Sequence, residues 1–172
     1  NSVKYCLDMN RIFFINVDKR YTINDLTFVP MQLFHDTKNC YGYFIKANNL
    51  SLAYMTDTGR ILEKYYKVLK NMNVLIMESN HDVEMLLNSS RPYILKQRIL
   101  SDKGHLSNEQ CANYLKEFIS DKLQTLVLAH LSEECNTEDI AYKTISDALN
   151  EINLHPNLMI AKQNESIEVV ND

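Results

Sequence analysis

The second half of the chain alternates short apolar runs with helical stripes, and that alternation leaves few folds open. Val74, Leu75, Ile76 and Met77 form an apolar run flanked by Asn73 and Glu78, the pattern of a buried strand. Ser107-Asn108-Glu109-Gln110 then opens a helix as a capping box. Behind it Cys111, Tyr114, Leu115, Phe118 and Ile119 recur at helical spacing on one face. A strand over 124–129 follows, then a helix from Thr137 carrying Ile140, Ala141, Ile145, Ala148 and Leu149, then a short strand over 158–161. The first half is richer in strands, expected over 11–17 and 26–34 and in a hairpin of 40–46 with 50–56 turned by Ala47-Asn48-Asn49. Pro30 points to an edge or bulge. Thr58-Gly59 is expected to lead into a helix with Ile61, Leu62, Tyr65, Val68 and Leu69 on one face. A further helix is expected over 91–100, with Pro92 in its first turn. The fold class is α/β, with α+β segregation in the β-rich first half, and one domain spans 1–172.

Composition narrows the function classes. The net charge is −4, so a polyanionic substrate would need local cations or bound metal to attract it. Cys6, Cys40, Cys111 and Cys135 are scattered without a CxxC pair, which reads as reduced thiols in a cytoplasmic protein. No apolar run approaches the roughly 18 residues needed to cross a membrane, so no membrane partner is expected.

What stands at the strand ends carries the chemistry. His35, Asp57, Glu78 and His130 each follow a separate apolar strand. Strand termini along one sheet edge converge, and open α/β folds place their sites there. Imidazole and carboxylate are ligands for zinc or manganese, and one carboxylate can bridge two ions. His105, after Gly104 and just before the Ser107 helix start, is placed to reach the same region. Asp82 is expected to cap the short helix that follows it, and His81 to be structural.

Phe34-His35-Asp36 with Tyr41-Gly42-Tyr43, Tyr54-Met55-Thr56-Asp57-Thr58-Gly59, and Ser79-Asn80-His81-Asp82-Val83-Glu84-Met85-Leu86 together resemble the metallo-β-lactamase fold. With Leu95-Lys96-Gln97-Arg98-Ile99 and Gly104-His105-Leu106-Ser107-Asn108, the resemblance narrows to the YycJ (WalJ) branch, metallohydrolases related to ribonuclease Z and regarded as DNA exonucleases. It implies an αββα sandwich and a pair of divalent ions, zinc or manganese, in the complete protein. His35 would hold one ion, Asp57 would bridge both, and His130 would hold the second. Glu78 and His105 would be the outer pair, with His105 protonating the leaving group. The implied reaction is phosphodiester hydrolysis on nucleic acid, DNA first. Lys96, Arg98 and Lys103 would lie near the phosphate backbone, unless they form a solvated helix face.

The family's HxHxDH motif is absent, since no two of the five histidines stand two residues apart. The chain begins at Asn1, and the expectation is a C-terminal piece of a longer protein, comprising mostly the second sheet and its helices. Such a piece would bind metal weakly, hydrolyse little, and self-associate through an uncovered sheet face. Two alternatives belong to other classes: a chain that keeps the fold but only binds or regulates, and a hydrolase of a small ester or lactam.

Overall fold

Asn24 and Asn48 adopt φ of 50° and 52°, a left-handed conformation that asparagine tolerates well, and each turns a hairpin. The first joins β1 (Tyr21–Ile23) to β2 (Leu26–Gln32), and the second joins β3 (Tyr41–Ala47) to β4 (Leu50–Met55). β5 (Val74–Glu78), β6 (Thr125–Ala129) and β7 (Asn157–Ile160) complete a single sheet whose strands lie side by side in chain order. The computed structural model describes residues 13–169, and the sheet contains seven strands among them.

The pairing is antiparallel from β1 to β4 and parallel from β4 to β7. Parallel neighbours need crossovers, and the helices supply them. A 3-10 turn (Glu63–Tyr65) and α1 (Tyr66–Leu69) connect β4 to β5. α2 (Val83–Asn88), α3 (Tyr93–Ile99) and α4 (Asn108–Phe118) connect β5 to β6, and α5 (Glu138–Glu151) connects β6 to β7. No helix among the described residues is long and apolar enough to cross a membrane.

Alternation along the strands sorts the residues onto two faces. Met31, Phe44, Ala53, Met55, Leu75, Met77, Leu126 and Leu128 join Leu115 and Phe118 of α4 and Ile145 and Leu149 of α5 in one core. The opposite face carries a transverse row in register: Pro30, Tyr43, Tyr54, Ile76, Val127 and Met159. Tyr21 stacks on Phe28 there, and Phe28 meets Tyr43 edge-on.

Two expectations need correction, and one strand lies outside them. Of the strand expected over 11–17, residues 11–12 lie outside the described residues, and 13–17 form no strand. Phe13 and Phe14 are more than four-fifths exposed, 84% and 83%, so local hydrophobicity found no pairing partner. β1 was not anticipated, because three residues are too few to show a period. The helix after Gly59 shrinks to the 3-10 turn and α1, because the Thr58–Leu62 stretch stays extended. There Gly59 N–H bonds the Phe34 carbonyl at 2.9 Å and the Thr58 hydroxyl bonds the Arg60 carbonyl at 2.7 Å. Tyr65 and Leu69 are still buried, as the stripe predicts, while Val68 is exposed.

Candidate metal centre

β2, β4, β5 and β6 all run in the same direction, because two antiparallel steps separate β2 from β4 and the later pairs are parallel. Their carboxyl ends therefore share one edge of the sheet. His35, Asp57, Glu78 and His130 emerge along it, and the turn after α3 brings His105 to the same place.

Glu78 is the centre of this arrangement. It is fully buried, yet its carboxylate meets four donors. Oε1 is 2.7 Å from Nδ1 of both His105 and His130, and Oε2 accepts from the backbone N–H of Thr58 at 2.9 Å and of Leu106 at 3.3 Å. Burial alone would raise its pKa, but the bonds from His105 and His130 outweigh burial and hold the carboxyl below its ordinary value. The same contact works in reverse on His130, whose pKa is raised by its bond to Glu78.

The remaining nitrogens of His35 and His130 face carboxylates, with His35 Nε2 3.4 Å from Asp36 Oδ1. Asp57 Oδ1 lies 3.6 Å from His130 Nε2 and 3.9 Å from His35 Nε2. His35 Nδ1 is 3.2 Å from the carbonyl of Gly104, so its tautomer is fixed from behind. His35 and His130 thus each have one nitrogen tied to an acceptor and the other turned toward carboxylate oxygens, as metal-ligating imidazoles do. Asp57, Glu78, His105 and His130 have ligand atoms within 4.8 Å of one another. Glu78 is a poor ligand within that group, because its oxygens are already spent on four donors. Asp57 and His130 keep donor atoms clear of Glu78, while His35 lies outside this group with its Nε2 3.9 Å from Asp57 Oδ1. The donor set suits a divalent ion of borderline softness.

Backbone strain marks the same residues. Among the described residues seven non-glycines have positive φ, and six of them are Asn or Asp. The seventh is His130 at 59°, and Asp57 stands at 61°. A left-handed histidine costs roughly 1–3 kcal/mol. Asn80 clamps it: its side-chain amide donates to the His130 carbonyl at 2.7 Å, while its own carbonyl accepts from Ser132 N–H at 2.7 Å.

The stretch after β5 stitches the site's loops together. Ser79 N–H bonds the Ala129 carbonyl, Asn80 N–H the Leu106 carbonyl, and Asp82 N–H the Cys135 carbonyl. Beneath it Ser79, Asn108 and Asn136 form a closed buried network, with Ser79 Oγ 2.6 Å from Asn108 Oδ1 and Asn108 Nδ2 donating to Asn136 Oδ1 at 2.9 Å. Asp82 caps α2 through Met85 N–H at 2.8 Å, and Ser107 with Gln110 closes the capping box of α4. His81 is fully buried, and neither ring nitrogen has a partner among the described residues. Burial pushes its pKa down to about 4. Sequence reasoning missed Asn80 and Asn136, and the polar run at a strand's carboxyl end was the signal available. Of the cations expected near a substrate backbone, Lys96 is otherwise occupied: its ammonium donates to the carbonyls of Leu87 and Ser89 at the end of α2.

The family model for the β-lactamase superfamily domain matches residues 4–131. The chain belongs to the metallo-β-lactamase superfamily. Within the superfamily it is 37% identical over 139 residues to exodeoxyribonuclease YycJ of Bacillus anthracis, covering 81% of this chain and 53% of that protein. It is 31% identical over 148 residues to exodeoxyribonuclease WalJ of Streptococcus pneumoniae, covering 86% of this chain and 55% of that one. The chain therefore spans about half the length of the curated relatives it matches. Its fold is that of the metallo-β-lactamase fold protein YhfI from Bacillus subtilis, with a TM-score of 0.62 at 19% identity over 86% of this chain and 52% of that one.

Proposed function

We propose that this chain supplies one part of the active site of a metal-dependent phosphodiesterase that removes nucleotides from DNA. The observation that carries the reading is the shared carboxylate: Glu78 Oε1 holds one histidine that faces Asp57 through Nε2 and a second, His105, whose Nε2 has no hydrogen-bond partner among the described residues. One carboxylate thus orients a ligand and a proton donor side by side. The match to two relatives named exodeoxyribonuclease supports DNA as the substrate class.

In this reading His35, Asp57 and His130 would be the residues that hold divalent cations, zinc or manganese. Cations bound there would stabilise charge developing on a phosphodiester and acidify a water molecule. The chain's own residues do the rest. Glu78 accepts from Nδ1 of His105 and so aims Nε2 outward; as an imidazolium the ring would give its Nε2 proton to the departing sugar oxygen. His35, turned through the Gly104 carbonyl, and His130, turned through Glu78, are fixed in the tautomer that leaves Nε2 a lone pair. We also place the protein in the cytoplasm, since Cys40, Cys111 and Cys135 form no disulfide among the described residues and two of them are buried.

The test uses a protein that joins this chain to a segment bearing HxHxDH. His105→Ala should lower hydrolysis of ordinary single-stranded DNA by about 10²–10⁴-fold with metal content preserved. A nucleotide ester with a nitrophenyl leaving group needs no protonation and should be cleaved nearly as well as by the unchanged protein. Equal losses on both substrates would remove His105 from the chemistry. Full turnover by Asp57→Ala would remove the metal assignment.

A further inference from the structure

Beside the cluster the surface opens into a cleft of about 350 Å³, lined by His35, His105 and His130 and by two arginines, Arg91 and Arg98. Both arginines come from the excursion between β5 and β6, Arg91 just before α3 and Arg98 within it. They are held alike. Arg91 Nε sits 3.0 Å from a Glu134 oxygen, and Arg98 Nε pairs with Asp36. Among the described residues neither guanidinium has a further partner, so the two Nη groups of each remain uncommitted. A guanidinium anchored through Nε presents its Nη edge as a fork, the geometry that takes two oxygens of one phosphate.

These pairs do little for stability. An exposed ion pair contributes about 0–1 kcal/mol, and all four side chains here are more than a quarter exposed. Both arginines line the same cleft as His35, His105 and His130, each with one carboxylate partner. Glu133 and Glu134 also line the cleft, yet Glu134 is already paired with Arg91.

We infer that Arg91 and Arg98 grip a phosphate of the bound strand in this cleft, next to the phosphate being cleaved. The inference rests on the phosphodiesterase reading for the identity of the strand, but the phosphate grip can be measured without it. It also replaces Lys96 by Arg91 in the set of backbone-contacting cations.

The experiment has two arms, both on the 172-residue chain with chelator present so that no metal contributes. In the first, inorganic phosphate is titrated at constant ionic strength while the arginine Nε–Hε signals are followed by NMR. Arg91 and Arg98 should shift along one saturating curve, and Arg60, paired with Asp102 instead, should not. In the second, a fluorescent single-stranded DNA oligonucleotide is bound and read by anisotropy. Arg91→Gln and Arg98→Gln should each weaken binding about tenfold and lower the salt slope by about 0.7, the share of one phosphate contact on a single strand. Lys143→Gln removes the same charge from α5 and should do neither. Saturating phosphate shifts without oligonucleotide binding would uphold the grip and sink the nucleic-acid reading. Oligonucleotide binding that all three variants weaken equally, with no phosphate shifts, would overturn the grip and leave that reading intact. Absence of both responses would overturn the grip as well.

Discussion

Glu78 accepts from four donors and donates to none, so its replacement by glutamine should be far from conservative. A glutamine brings two N–H groups of its own into contact with groups that already donate. Glu78→Gln should destabilise the metal-free chain by about 2–4 kcal/mol, read by urea unfolding, in keeping with a buried charge network broken on one side. A loss under half a kcal/mol would mean the carboxylate is not ionised in the fold. His81 makes a second claim at this scale. Its pKa falls from an ordinary 6.5 to about 4 because the ring is buried, so the unfolded chain binds the proton first. Stability is therefore lost as pH falls from 6.5 toward 4, by up to about 3 kcal/mol. Glu78, with its depressed pKa, adds a loss below its ordinary 4.5. His130 acts oppositely: its raised pKa gives a contribution that is full below 6.5 and disappears as pH rises through the folded value. Unfolding curves of His81→Leu should be flatter between pH 4 and 6.5 than those of the parent chain. Parallel curves would mean the His81 ring finds a partner in solution. The residue types at the strand ends were legible because apolar runs stop at them. The four donors on Glu78 and the clamp by Asn80 were not, since both depend on loops far apart in sequence.

At the level of elements, Gly104 decides how α3 hands the chain to His105. A Cβ there would run into the carbonyls of Arg98 and Ile99, while Gly104 N–H bonds the Ser101 carbonyl at 2.8 Å and its own carbonyl faces His35 Nδ1. Gly104→Ala should therefore push the turn away from α3 and disturb His35 and His105 together. The expected cost is about 2–3 kcal/mol in unfolding free energy. Unchanged stability and unchanged imidazole NMR shifts would show that the turn yields freely. The contrast with Ser107 is useful, since losing a cap typically costs about 1 kcal/mol and should leave the His35 signals in place. Legibility at this scale followed sequence distance. The capping box, the α4 and α5 stripes, the hairpin and the strands ending at Glu78 and His130 are local patterns, and they formed where expected. β1 is too short to show a period, and the shortened helix after Gly59 depends on a hydrogen bond to Phe34, which no local pattern reveals.

Across the whole molecule, the sheet has one face covered by α4 and α5 and another lined by Tyr43, Ile45, Leu52, Tyr54 and Ile76. Tyr54 is 41% exposed and lies beside Tyr43 in the middle of that row. Apolar aromatic surface of this kind favours association. We propose that the chain self-associates through it, and Tyr54→Lys should shift sedimentation toward monomer without altering the fold. The same sedimentation profile for both would place the contact elsewhere. The described residues form a single sheet, and the αββα sandwich is what the family resemblance implies, because a second sheet leaves no periodicity in these residues. The central proposal is that His35 and His130 bind metal through the ring nitrogens that Gly104 and Glu78 leave free, with Asp57 ligating through its carboxylate oxygens. It is tested most directly by titrating zinc into the isotopically labelled chain and following the histidine ring nitrogens by NMR. The account predicts metal-induced shifts at Nε2 of His35 and His130, with Nδ1 of both staying hydrogen-bonded and the response disappearing in Asp57→Ala. Ligation through Nδ1, or shifts at His105 alone that persist in Asp57→Ala, would contradict it.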